Sequence, residues 1–265
     1  MEVTSPKIRT VHVTRYITPL KEGGSLPALA EADDEFLYVI KFRGAGQGPK
    51  ALIAELIGGE LARAAKLKVP EIVFAELNEA YGRTEPDPEI QDLLKWSIGK
   101  NLGLHFLKGA ATYDTAITPV DARTASLIVW LDCFIMNVDR TARNTNMLLW
   151  NKELWLIDHG SSLYFHHSWS NYMEKALLPF EQVKDHVLLR FATEMEEADR
   201  WFHQHLNDGI ITGIVSAVPE AWLLSDTPFK TVEENRHAYV EFLITRFNHS
   251  QNFVKHAIDA GKTVI

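Results

Sequence analysis

Cysteine is nearly missing from this chain: Cys133 is the only one in 265 residues, so neither a disulfide framework nor a cysteine-based zinc site is available. A reducing compartment fits that count. A basic surplus is missing too, because 27 Lys and Arg face 35 Asp and Glu for a net charge of −8. A sequence-independent grip on a phosphate backbone needs clustered cations, so no direct nucleic-acid binding is expected. Long apolar runs are also scarce. The longest, residues 125–138, is too short to span a bilayer and carries Asp132 in its middle, and residues 1–15 contain no unbroken apolar segment of the kind that marks a secretory signal. These absences point to a cytoplasmic protein without a membrane partner. Internal repeats and low-complexity segments are likewise not seen. What the chain does have is 46% hydrophobic residues, enough to bury one large core or two lobes sharing an interface.

The pattern along the chain changes near its middle. Residues 8–18, 25–32 and 36–42 alternate as three strands of an antiparallel meander, with Gly23-Gly24 and Asp33-Asp34 as turn signals. Residues 50–66 read as a helix because Leu52, Leu56, Ile57, Leu61 and Ala64 recur at three- and four-residue intervals. A strand at 71–77, a loop at 78–89 and a short strand at 102–107 complete this half. Helices dominate afterwards: 121–138, one amphipathic helix running from Phe180 to Leu206, and another over 239–258. A hairpin, 146–150 and 154–157, turns at Asn151-Lys152 among them. The expectation is an α+β chain with a β-rich part at 1–108 and a mainly helical part at 109–265.

Chemistry concentrates directly after the most apolar helix, in Asn137-Val138-Asp139-Arg140-Thr141-Ala142-Arg143-Asn144-Thr145-Asn146. Polar groups delivered by a buried helix are costly unless paired or functional. Asp139 and Asn144 are five residues apart, and the hairpin returns the chain to Ile157-Asp158-His159-Gly160. Phosphoryl transfer needs such a set: one carboxylate to orient or deprotonate a hydroxyl, and an amide oxygen with a second carboxylate to hold magnesium against phosphates. Asp and Asn also favour turns for local reasons, but the matching Asp158 weighs against that simpler account. Lys41 sits in the apolar strand Tyr38-Val39-Ile40-Lys41-Phe42, where a phosphate partner would offset the cost of burying an ammonium. Gly23-Gly24-Ser25 can bring backbone amides close to phosphate, although it also serves as an ordinary hairpin turn.

These segments resemble the HipA-like kinases, and more distantly the phosphatidylinositol-kinase-like fold. The resemblance rests on Asp139-Arg140-x-x-x-Asn144, the hairpin, Leu154-Trp155-Leu156-Ile157-Asp158-His159-Gly160 and Tyr164-Phe165-His166-His167. It implies a two-lobed protein-kinase-like fold and an ATP- and Mg2+-dependent phosphotransferase acting on a hydroxyl of a protein or small molecule. Asp139 becomes the catalytic aspartate, Asn144 and Asp158 the magnesium ligands, and Lys41 the phosphate-binding lysine positioned by Glu55. Gly23, Gly24 and Ser25 take the place of a glycine-rich loop. Leu107, Lys108 and Gly109 form the joint between the lobes, near the adenine. His159 stands where protein kinases usually have Phe, and Thr141 where many relatives have His.

Two rival functions fit parts of the same pattern. A nucleotide-binding module that no longer catalyses, acting through a partner, would not require Asp139. A transition-metal hydrolase built on Asp158, His159, His166 and His167 lacks an H-E-x-x-H or comparable helical pair.

Overall fold

The structure is a computed structural model that describes residues 3, 5–20, 26–79 and 87–263. Gly23, Gly24 and Ser25 lie outside the described residues.

Alternation shapes the N-terminal part. Val11 and Val13 of β1 (Thr10–Pro19), Ala28, Ala30 and Ala32 of β2 (Ala28–Ala32), and Tyr38 and Ile40 of β3 (Leu37–Lys41) are buried on one face. That face is the inside of a closed five-stranded barrel of order β1-β2-β3-β5-β4, completed by β4 (Ile72–Leu77) and β5 (Gly99–His105). The three-stranded meander expected from the sequence is present, but the sheet does not stop there. β1 and β4 pair in parallel, Val11 opposite Ala75, and so leave no open edge between them. Leu93 and Leu94 of α2 (Pro88–Trp96) add to the barrel core. The loop expected over 78–89 therefore ends in an unexpected helix, capped by the Asp87 side chain on the Glu89 amide and opened by Pro88.

The outer face of β4 and β5 carries Ile72, Phe74, Leu102 and Leu104 and packs on α1 (Gly48–Ala64). α1 also packs against α6 (Asp208–Ser216) and α7 (Glu220–Leu223), so every residue from Leu52 to Ala62 is buried. One continuous hydrophobic core thus runs from the barrel's outer face through α1 into the helical part. At its centre lies α3 (Ala122–Ile135), whose Trp130 stacks on Phe202 with ring centroids 3.9 Å apart. α3 ends three residues sooner than its apolar run suggests. Met136 turns left-handed at φ 57°, and Asn137 closes the end by donating its backbone N–H to the Asp132 carbonyl.

β6 (Ala111–Thr112), β7 (Met147–Trp150) and β8 (Glu153–Leu156) form a small second sheet, and Asn151 and Lys152 both adopt positive φ in the hairpin turn. The single helix expected from Phe180 to Leu206 is not formed. The stretch makes 3-10 turns at Glu181–Asp185 and Leu189–Phe191, and only α5 (Met195–His205) is α-helical. Apolar residues three or four apart satisfy short 3-10 turns as well as a helix, which is why spacing alone misled. The helix expected over 239–258 is two, α8 (Val232–Asn248) and α9 (Gln251–Gly261), parted at His249 and Ser250. A short α4 (Tyr172–Leu177) precedes them. No helix among the described residues is long and apolar enough to cross a membrane.

Candidate active site

Lys41 is the last residue of β3, paired with Leu102 on the face turned to α1. Its Nζ lies 2.6 Å from Glu55 Oε2 in α1 and 2.6 Å from Asp158 Oδ1 in the turn after β8. One ammonium therefore joins three elements. Burial of a lysine favours its neutral form, but here the charges of Glu55 and Asp158 outweigh burial and hold the Lys41 pKa above its ordinary value. Glu55 is wholly buried, which by itself would raise its carboxyl. Lys41 first and His159 second overcome that and place it below the usual carboxylate range. Asp158 differs, since its side chain is 44% exposed and open to a ligand.

The polar loop after α3 brings its own groups together. Asp139 Oδ2 accepts from Asn144 Nδ2 at 2.8 Å and from Asn146 Nδ2 at 3.3 Å. This loop runs beside the Asp158 turn: the Ile157 amide donates to the Asn146 carbonyl, and the Val138 amide reaches the Ser161 carbonyl. Two carboxylates nineteen positions apart in the sequence are thus carried by adjacent backbone segments. His159 is buried against α1 at Gly58, where an added Cβ would meet the His159 Cβ at 2.9 Å. Lys41, Ala45, Gln47, Gly48, Asp158 and Gly160 line a small cavity at the start of α1. Leu107, Lys108 and Gly109 form the turn between β5 and β6 and are not part of that cavity's lining; Lys108 offers its carbonyl to Trp150 Nε1 at 3.1 Å.

The sequence profile of the HipA-like kinase family matches residues 13–256. The chain belongs to that family. Among curated proteins, none matches. The Helicobacter pylori proinflammatory kinase CtkA is similar in structure, with a TM-score of 0.54 and 15% identity over 98% of this chain and 100% of that one. At that identity the likeness speaks for a kinase fold alone. The Golgi casein kinase with Mn/ADP bound gives a TM-score of 0.48 and 13% identity, covering 94% of this chain and 74% of that one.

In this HipA-like kinase two groups of residues escaped the sequence reading. The first is the loop Arg43-Gly44-Ala45-Gly46-Gln47-Gly48, pinned at one end where the Arg43 amide donates to Asn101 Oδ1 and the Gly44 amide to Ser97 Oγ. Three glycines at alternate positions, the first of them three residues after Lys41, are the available signal. The second is a buried knot on Asp132. Its Oδ2 lies 2.5 Å from Arg140 Nε and 2.9 Å from His186 Nε2, and its Oδ1 accepts from Asn137 Nδ2 at 3.0 Å. Burial alone would raise the Asp132 carboxyl; Arg140 and His186 hold it below the usual range. The signal here was a carboxylate inside an apolar helix.

The donor set fits a hard divalent cation. Asp158 offers a half-exposed carboxylate, and Asn144, whose Nδ2 is given to Asp139, has its carbonyl oxygen left to offer. Among the described residues no three His, Cys, Asp or Glu side chains converge as a metal site. His166 instead sits beside the Tyr239 hydroxyl at 3.0 Å, and the His167 ring packs on Tyr164.

Proposed function

We propose that this HipA-like kinase transfers the γ-phosphoryl group of ATP to a hydroxyl of a protein or small molecule, in a cleft between a β-rich and a helical lobe. The observation that carries the reading is Lys41, held by Glu55 and aimed at Asp158 from the far side of the chain. In that reading Lys41 binds phosphate oxygens, and Glu55 keeps its ammonium charged and oriented. Gly23, Gly24 and Ser25 remain phosphate-binding candidates from the resemblance alone, and the turn at Leu107, Lys108 and Gly109 is assigned to the adenine. Asn144 and Asp158 would hold Mg2+, which supplies charge neutralisation at the phosphates when bound. Asp139 orients the acceptor hydroxyl and takes its proton as the acceptor oxygen bonds to the γ-phosphorus. The bond from that phosphorus to the bridging oxygen breaks, and ADP leaves with the bonding pair.

The test pairs calorimetric titration of ATP and magnesium with single-turnover transfer. Asp139→Asn is expected to keep nucleotide affinity and lose transfer by on the order of a hundredfold, the scale of a positioned acid–base group. Asp158→Ala should lose affinity and transfer together, and Asn144→Ala should fall between them. Equal loss of binding in the Asp139 and Asp158 variants would show the two roles wrongly divided. A wild-type chain that binds ATP and never consumes it would be a nucleotide-binding module acting through a partner.

A further inference from the structure

Asp139 is carried by a loop that has little regular structure of its own, so something else must set its position. The Asp132 knot lies directly beneath it. Arg140, the residue after Asp139, donates from Nε to Asp132 and from Nη1 to the Asn146 carbonyl, and thereby ties both ends of the loop to α3. His186 reaches the same Asp132 oxygen from a third segment, 186–188. That segment also runs along the loop: the Val187 amide donates to the Arg140 carbonyl at 3.1 Å, and Thr141 and His186 form a β-bridge.

We infer that His186 is a positioning residue for Asp139, acting through Asp132 and Arg140. The inference rests on the phosphotransferase reading above. The tautomer follows from geometry. The Leu188 amide can only donate, and it lies 3.0 Å from His186 Nδ1, so that nitrogen holds a lone pair. The proton of the neutral ring is therefore on Nε2 and is given to Asp132 Oδ2. With two donors on one oxygen and Asn137 on the other, the carboxylate is held in a single orientation, and that orientation aims Arg140 at the Asn146 carbonyl. Without His186, one donor is lost inside the protein and the Leu188 amide is left without its acceptor. The loop then gains freedom at Asp139; the Lys41 and Asp158 side chains make no hydrogen bond to the network, and the Asp158 turn meets it only through the Ile157 amide on the Asn146 carbonyl.

The experiment compares His186→Ala, His186→Gln and His186→Asn for kcat, KM for magnesium-ATP and Tm. Gln places a donor where Nε2 stood, whereas Asn keeps only an acceptor where Nδ1 stood. The Ala and Asn variants should lose kcat by on the order of ten- to a hundredfold, the cost of a misplacement near 1 Å, with a smaller rise in KM because Asn144 rides on the same loop while the Asp158 side chain is not displaced. The Gln variant should recover most of kcat, although its Tm falls about as far as that of Asn. Equal kcat in Gln and Asn, or a kcat that follows Tm across all three, would overturn the inference and leave His186 as scaffold. NMR of the imidazole nitrogens gives a readout independent of turnover: a proton on Nε2 alone is expected, and a proton on Nδ1 would overturn it. If the wild-type chain transfers no phosphoryl group, the phosphotransferase reading fails, and the positioning role fails with it whatever tautomer is found.

Discussion

At the residue scale the site depends on how one buried carboxylate divides its two oxygens. Glu55 Oε2 takes Lys41 at 2.6 Å, while Oε1 lies 3.7 Å from His159 Nδ1 and has no hydrogen-bond partner among the described residues. The charge on Glu55 therefore serves Lys41 most directly. Glu55→Gln keeps the shape and removes the charge, so Lys41 would rest on Asp158 alone and pull that carboxylate away from a cation. Transfer in a turnover assay should fall by at least about tenfold, with weaker magnesium-ATP binding by calorimetry, since a ΔΔG near 1.4 kcal/mol corresponds to one decade. Unchanged turnover would return Glu55 to a structural role. Lys41, Glu55, Asp139, Asn144 and Asp158 could all be named from spacing and resemblance. Asp132 was equally visible, but its partners Arg140 and His186 lie eight and fifty-four positions away, beyond the reach of any helical or strand period.

At the element scale α1 acts as the spacer between barrel and helices, and Gly58 sets how near it comes to the Asp158 turn. A side chain there meets His159 Cβ at 2.9 Å and Ile135 Cδ1 at 3.1 Å. Ile135 Cδ1 is a terminal methyl, but His159 Cβ is fixed to its own backbone and cannot turn aside. Gly58→Val should push α1 outward and lower stability by about 1–3 kcal/mol, the usual cost of overpacking. Because Glu55 is on the same helix, one turn earlier, turnover should fall more than stability explains. Urea unfolding and turnover measured on the same preparation check this, and a variant that is destabilised but fully active would separate α1 placement from catalysis. The existence of α1 was legible from its apolar spacing, but its burial on all sides was not. A single stripe predicts one buried face, and the second face is covered by α6 and α7, which the sequence reading did not resolve.

At the scale of the whole molecule, buried ionisable groups set the acid limit of stability. Burial holds His166 well below its ordinary pKa, so the unfolded chain takes up a proton near pH 6.5 that the folded chain refuses. Stability therefore falls as pH drops through that region, with His167 adding in the same direction. Glu55 and Asp132 are depressed carboxylates, so their contribution is present above about pH 4 and is lost as pH falls further. Glu60, raised by burial, opposes this more weakly in number, one group against two. Urea midpoints measured from pH 7.5 to pH 3.5 should show two successive losses, and His166→Gln should abolish part of the first while leaving the second. A flat profile down to pH 4.5 in the wild-type chain would contradict the first.

By itself the sequence determined which chemistry is available and which elements carry it, because composition, strand alternation and motif spacing are local properties that survive without a fold. The strands before α1, the apolar helix α3 and the hairpin β7–β8 were readable for that reason. Barrel closure through β1 and β4, the 3-10 turns after Phe180 and the break between α8 and α9 were decided by tertiary structure. Each lies beside contacts between residues distant in the chain: Val11 against Ala75, His186 against Asp132, and Arg246 of α8, whose guanidinium donates to the carbonyls of Cys133 and Ala176. A period in the sequence reports which face of a segment is apolar, but only the packed chain decides what covers that face and where the backbone must bend to let it.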